Sequence, residues 1–217
     1  MTSLASALEP IARHPLVPPS PWLEAVPLAG EHVALEPLGL EHAAELFAAL
    51  DHEDVWRYIP GARPTNEDEM AANIHGMLRL QALGQRVPWL YRDPASGAAI
   101  GTSSYCPPEE RQRSVHIGGT MTARAYWRTG VNTEAKLLLM THAFETLGAV
   151  RVEWQTDHLN ERSQAAIARL GAQREGVLRK HKQRHDGTWR DSVFFGLLDT
   201  EWPTAKERLL ERLAAHR

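Results

Sequence analysis

The chain has 217 residues and a formal net charge of −3, from 24 Lys and Arg against 27 Asp and Glu. Hydrophobic residues make up 43%, enough for one large domain with a real core and far from a disordered composition. The slight acidity argues against general nucleic-acid binding, which needs a basic surface, and no apolar run approaches the roughly 20 residues of a membrane helix. The first 30 residues lack a basic segment followed by an apolar one, so no secretory leader is expected. Cys106 is the only cysteine. It excludes an intrachain disulfide and a cysteine zinc cage, and a cytoplasmic location is expected. Charge is unevenly placed: residues 1–70 hold 12 Asp or Glu and 3 Arg, a net of −9, so the remainder carries +6. Either a cationic ligand belongs near the first third and an anionic one near the rest, or these are solvated helix faces.

In chain order, residues 1–27 contain six prolines from Pro10 to Pro27 and read as an extended arm. "HVALEPL" (32–38) reads as the first strand. Leu40, Ala43, Ala44, Phe47 and Leu50 recur at helical spacing and predict a helix over 40–50. Thr65 followed by Asp68 resembles a capping box, opening a helix with Met70, Ile74, Met77 and Leu78 on one face and Gly84 at its end. Strands at 86–92 and 98–105 flank the turn "DPASG"; "CPPEERQR" reads as a loop before a strand at 114–122. A helix over 133–147 is closed by Gly148, and alternating Val150, Val152 and Trp154 mark a strand at 149–157. "NERSQAAIARLG" (160–171) is a short helix between Asn and Gly. Strands around 173–183 and 189–198 meet at a "HDG" turn. The tail, 201–217, is an amphipathic helix with Leu209, Leu210 and Leu213. The pattern predicts one mixed α/β domain over 28–200 between arm and tail helix.

One stretch stands out. In "YWRTGVNTEAKLLLMTHAF" (126–144), a strand feeds a loop with Gly130 and then an apolar helix. The first N–H groups of a helix have no internal partner, and its dipole adds about half a positive charge there. N–H groups from Arg128 to Glu134 are therefore placed to wrap a pyrophosphate. The spacing fits neither G-x-G-x-x-G nor G-x-x-x-x-G-K-[ST], which excludes a dinucleotide fingerprint and a P-loop.

The stretch from "IGGTMTARAYWRTGVNTEAKLLLMTHAF" through "NERSQAAIARLGAQREGVLRKH" to "DGTWRDSVFF" and "EWP" resembles the GNAT acyltransferase superfamily. The likeness is dense over 114–203 and looser over 28–113, and is nearest to the RimJ/RimL-like ribosomal-protein N-acetyltransferases. The resemblance implies a mixed sheet of about seven strands with four helices, splayed between strands four (114–122) and five (149–157), with coenzyme A entering the gap. It implies acetyl transfer from acetyl-CoA, without a metal, to an amine: a protein N-terminus, a ribosomal protein's among them, or a small amine. The family's phosphate loop, [QR]-x-x-G-x-[GA], falls on Trp127, Gly130 and Asn132, with Arg128, Thr129, Val131 and Thr133 beside them; only the glycine matches, and Asn132 is a residue that tolerates left-handed φ.

The same resemblance implies roles around that loop. Thr120, Met121 and Thr122 would offer freed backbone N–H groups to pantetheine and to the acetyl oxygen; ordinary ladder pairing is the other reading. Asn160 would meet pantetheine, or simply cap its helix, and Ser163 would donate to the departing sulfur, or be a first-turn serine. For the base, His116 fills a slot where relatives often carry Glu, and it titrates near neutrality; Glu153, then Asp157 and His158, are the other candidates. Trp56, Tyr58 and Glu67–Glu69 fall where relatives shape the acceptor pocket, or on helix surface and core. An α-amine with pKa near 8 is roughly a tenth free at pH 7, against about one in 2,500 for lysine. Weak base candidates thus suit an α-amine, and the acidic first third suits a cationic acceptor. A CoA-binding sensor without turnover is the alternative of another class. Arg179, Lys180, Lys182, Arg184 and Arg190 mark a solvated hairpin tip, or a contact for CoA, RNA or an acidic partner. His181 and His185 have a metal-like spacing but no third ligand. A homodimer through arm and tail helix is a further expectation.

Overall fold

A computed structural model describes residues 20–184 and 186–215; His185 and the first 19 residues of the arm lie outside them. Eight strands form one sheet: β1 (Leu28–Ala29), β2 (Ala34–Pro37), β3 (Val87–Arg92), β4 (Ala99–Glu109), β5 (Ser114–Thr122), β6 (Arg151–Asp157), β7 (Gln173–Gln183) and β8 (Trp189–Leu198). Their order is β1-β2-β3-β4-β5-β6-β8-β7. Every neighbouring pair is antiparallel except β5 and β6. A parallel pair needs a crossover, and helix α4 (Val131–Thr141) supplies it. The other helices are α1 (Ala43–Leu50), α2 (Glu53–Trp56), α3 (Glu67–Ala82), α5 (Glu161–Ala168) and α6 (Trp202–Ala214).

Strand alternation divides the core into two apolar layers, one on each sheet face. Trp89 and Tyr91 of β3 point into the layer formed with α4, α5 and α6. Leu90, between them, points into the layer formed with α1, α2 and α3. The tail helix belongs to the first layer: Trp202, Ala205, Leu209 and Leu213 are buried there, while Leu210 faces solvent. Residues 20–27 are docked rather than free. Trp22 and Ala25 are buried in the same layer, and Trp89 Nε1 donates to the Val26 carbonyl at 2.8 Å.

Several boundaries differ from expectation. Leu28–Ala29 adds a short edge strand, giving eight strands rather than seven, so the expected strands four and five are β5 and β6. Asn66, not Thr65, caps α3: its side chain accepts from Glu69 N–H at 2.9 Å, and the Glu69 carboxylate takes Thr65 N–H at 2.7 Å. The Asn66 half of a capping box is present one residue later than expected, while Glu69 reaches back past the cap to Thr65. The first helix opens with a 3₁₀ turn, Leu40–His42. β4 runs on to Glu109 through Pro107 and Pro108, with a register shift where proline cannot donate to the ladder. α4 starts at Val131 and ends in a wider turn, His142–Thr146, in which Leu147 N–H reaches the His142 carbonyl. At the far edge, β7 has two register shifts against β8, and Lys180 lies at φ 47°.

The start of α4 is held by a buried carboxylate. Glu134, 7% exposed, accepts N–H groups from Glu31 (2.9 Å), His32 (2.6 Å) and Val33 (2.8 Å) in the turn between β1 and β2. A Cβ on Gly30 would collide with this carboxylate. Truncation would leave three donors without their acceptor, so Glu134→Ala should lower the unfolding free energy by about 3 kcal/mol, and Glu134→Gln by less. Urea unfolding reads both; an unchanged midpoint for Glu134→Ala would mean that water replaces the carboxylate.

Candidate active site

β5 and β6 share only three paired positions: Ser114 with Arg151, Val115 with Val152, and His116 with Glu153. Beyond them the strands part, and from Ile117 onward β5 has no ladder partner on that side. On its other side, Thr102 of β4 faces Met121 and Ser104 faces Gly118, so Ser103 meets two residues, Gly119 and Thr120. Gly119 takes φ 61°, the left-handed position that opens a glycine bulge. Bulge and parting together open a cleft of about 1140 Å³ lined from both faces of the sheet: Leu46 and Met70 from α1 and α3, Thr133 and Lys136 from α4.

The loop from β5 to α4 turns at Arg128, whose φ is 65°. Left-handed backbone costs a non-glycine residue roughly 1–2 kcal/mol. This is the left-handed position of the loop; Asn132 lies in the first turn of α4. Thr129 Oγ1 donates to the Tyr126 carbonyl at 2.8 Å and accepts from Val131 N–H at 3.3 Å. The next N–H groups, of Asn132 and Thr133, are first-turn donors with no internal acceptor, and both residues line the cleft with Arg128 and Thr129. Gly130 does not line it: an added Cβ would meet the His32 ring at 2.7 Å, so packing against the β1–β2 turn demands this glycine. Val131 is buried in the α4-side layer. Trp127 lines the cleft, donating Nε1–H to the Thr122 carbonyl at 2.8 Å, its indole between the guanidinium carbons of Arg124 (4.4 Å) and Arg162 (3.5 Å).

Thr120, Met121, Thr122, Asn160 and Ser163 all line the cleft. Asn160 caps α5 by accepting Ser163 N–H at 3.0 Å. His116 is also there, 3.4 Å through Nδ1 from Gln155 Nε2, with Nε2 buried and unpartnered. Burial first, and then Lys182, push its pKa down to about 4, so it is neutral at pH 7. The other base candidates lie elsewhere. Glu153, the ladder partner of His116, lies outside the cleft lining and accepts from Arg151 at 3.1 Å. Asp157 is gripped by Arg184 at 2.7 and 2.8 Å, with His158 beside it outside the cleft. Trp56 and Tyr58 line the cleft and Glu67–Glu69 do not. Of the basic hairpin set, Lys182 and Arg190 turn into the cleft, while Arg179 and Lys180 are exposed. Among the described residues, no three His, Cys, Asp or Glu side chains gather as a metal site needs.

Residues 32–173 match the model of the acetyltransferase (GNAT) domain. The chain belongs to the GNAT acetyltransferase family. It is 22% identical over 167 residues to the uncharacterized N-acetyltransferase YoaA of Bacillus subtilis (strain 168), covering 77% of this chain and 94% of YoaA. A solved GCN5-related N-acetyltransferase from Brucella melitensis is 29% identical, with a TM-score of 0.81 over 88% of this chain and 86% of that one. Mycobacterium smegmatis RimJ, solved in complex with CoA-disulfide, is 22% identical and shares the fold, with a TM-score of 0.72 over 87% of this chain and 93% of RimJ. This GNAT enzyme is an N-acetyltransferase whose acetyl donor is acetyl-CoA. Its cleft suits that donor: unladdered backbone on β5 for an amide-bearing arm, and open N–H groups at α4 beside Arg128 for phosphates.

Sequence reasoning named Arg128, Lys182 and Arg190 but passed over the other cations of the acetyltransferase cleft. Arg86, Lys136, Lys182 and Arg190 line its inner end, and Arg124, Arg128, Arg162, Arg169 and Arg212 the rest, against a single carboxylate among the described lining residues, Asp54. Some carboxylates of the acidic first third are paired instead: Glu36 and Glu45 hold Arg92, and Asp51 holds Arg63. Lys136 carried a readable signal, a charge inside the apolar run "AKLLLM". It is 4% exposed, and its Nζ donates to Ser103 Oγ at 3.0 Å and to Thr120 Oγ1.

Burial pushes the Lys136 pKa down to about 7. The unfolded chain keeps that proton to about pH 10. Between those values the unfolded state binds more protons, so stability rises with pH, and the full penalty stands below pH 7. Lys136→Met should therefore stabilise the protein more at about pH 6.5 than at about pH 9.5. Urea unfolding at both values checks this; equal gains would mean that the folded state solvates the ammonium.

Proposed function

We propose that the cleft moves the acetyl group of acetyl-CoA to a primary amine by direct attack while both substrates are bound. The observation that carries this reading is the parting of β5 and β6, which opens one cleft to both faces of the sheet. The donor fits from the α4 side and an acceptor from the α1–α3 side. In the reaction the amine nitrogen bonds to the acetyl carbon as the carbon–sulfur bond breaks; the nitrogen gives up a proton and the sulfur gains one.

This chain's groups divide that work. The N–H groups of Asn132 and Thr133, with Arg128 and Thr129, would take the pyrophosphate. Backbone at Thr120, Met121 and Thr122 would hold the pantetheine arm and stabilise charge on the acetyl oxygen, with Asn160 on the opposite wall. Ser163, which lines the cleft, would donate to the departing sulfur. His116, neutral and half-satisfied, would relay the amine's proton through water rather than abstract it strongly. The burial and positive charge that keep His116 unprotonated also lower the pKa of an ammonium entering the cleft. That favours acceptors already near neutrality, and an α-amine needs the smallest shift. A protein N-terminal α-amine agrees with this and with the RimJ/RimL-like sequence; a small amine with an α-amino group satisfies the same chemistry.

Release of free thiol from acetyl-CoA in the presence of N-terminal peptides and amino acids tests the reading. Ser163→Ala should reduce kcat about tenfold or more while changing CoA affinity, by calorimetry, less than about twofold. The reverse pattern would make Ser163 a positioning residue for the donor. CoA binding without thiol release on any amine would leave a CoA-binding protein that does not transfer.

A further inference from the structure

The inner end of the cleft is basic in a way that acetyl transfer does not require. Alternation sends Val115 and Ile117 of β5, Trp154 of β6, and Val193 and Phe195 of β8 into the α4-side layer. His116, Gln155 and Arg190 therefore share the opposite face. Lys182 faces Arg190 across the β7–β8 ladder, and Arg86, just before β3, comes near the Gly119 bulge. These cations gather on the α1–α3 face, across the sheet from the N-terminus of α4, so they are not the donor's phosphate ligands. Lys136 approaches from below.

Among the described residues, no carboxylate makes an ion pair with Arg86, Lys182 or Arg190. Asp54 lies 3.7 Å from Arg124. Asp157 acts on Arg190 at longer range, and both its oxygens are on Arg184. Arg190 donates through Nε to Ser192 Oγ at 2.9 Å, and Lys182 makes no ion pair. Arg86 Nε and His116 Nε2, with the acceptor Gln155 Oε1, are buried without a hydrogen-bond partner among the described residues. Burial, and then Arg190, hold the Lys182 ammonium below its ordinary pKa. Two buried donors and three converging cations at the acceptor's end of a substrate cleft form a seat for an anion.

We infer that Arg86, Lys182 and Arg190 bind a carboxylate of the acceptor, so that the amine acetylated here belongs to an acidic molecule. The carboxylate is either the α-carboxylate of a free amino acid or an acidic side chain next to a peptide N-terminus; the two offer the same group. The inference rests on the amine-transfer reading above and names its acceptor class. It also reverses the cationic acceptor expected from the acidic first third.

The experiment compares matched acceptors by thiol release from acetyl-CoA: alanine against alaninamide, glutamate against glutamine, and peptides beginning Ser-Asp against Ser-Asn. The acid should be preferred over its amide by about tenfold or more in kcat/KM in at least one pair, and that pair identifies the source. Lys182→Met should raise KM for the preferred acid about tenfold, with CoA affinity within about twofold, and shrink the acid-over-amide preference to about threefold or less. Arg86→Met provides a second variant should the first fail to fold. Amides accepted as well as acids, or a preference that survives both variants, overturns the inference and leaves amine transfer standing. No thiol release with any acceptor, despite CoA binding by calorimetry, overturns amine transfer and this inference with it.

Discussion

Everything distinctive about this protein follows from a parallel ladder that closes for three residue pairs and then stops. A sheet normally satisfies each strand's backbone on both sides. Here β5 is satisfied by β4 alone beyond His116, and the opened edge lies between two apolar layers that would otherwise meet. The separation is built in rather than incidental. Gly118 and Gly119 remove side chains at the point of divergence, a Cβ at Gly118 would meet Cys106 Sγ at 2.7 Å, and the bulge re-aims Thr120 toward Lys136. Glu134 then fixes α4 against the β1–β2 turn, so the helix start points at the gap and cannot drift along it.

Much of this was readable in the residues, because apolar alternation at period two and recurrence near 3.6 are local signals. β5, β6, α3 and α5 lie within a few residues of their expected positions, and Asn160 caps its helix as its chemistry suggests. What escaped was settled by contacts distant in sequence. Gly130 looked like a loop glycine cleared for a ligand, yet its reason is the His32 ring, about a hundred residues earlier. Arg128 carries the left-handed turn although nothing in its type predicts it. Glu153 and His116 share one rung of the ladder, and only His116 lines the cleft, because Glu153 is taken up by Arg151. Net charge located the excess of cations in the later two thirds of the chain, but not their convergence on one cleft from segments distant in sequence.

That convergence makes the cleft a region of strong positive potential enclosed by apolar walls. Burial is the first cause of both low pKa values, about 4 for His116 and about 7 for Lys136, and nearby cations add to it at His116. An enzyme built this way has little need of a dedicated carboxylate base, because the surroundings discourage protonation of whatever nitrogen enters.

The two ends of the sheet have a consequence for how the molecule behaves in a crowd. An exposed strand edge is a template on which another chain can polymerise. Here one edge, β1, is only two residues long. The other, β7, is bent twice, turns through Lys180 at positive φ, and carries Arg174, Arg179, Lys180 and Lys182 along its length. Neither presents a straight, neutral row of donors and acceptors. A protein that must keep its central ladder half open is thereby guarded against strand capture from outside, where its sheet would be easiest to extend.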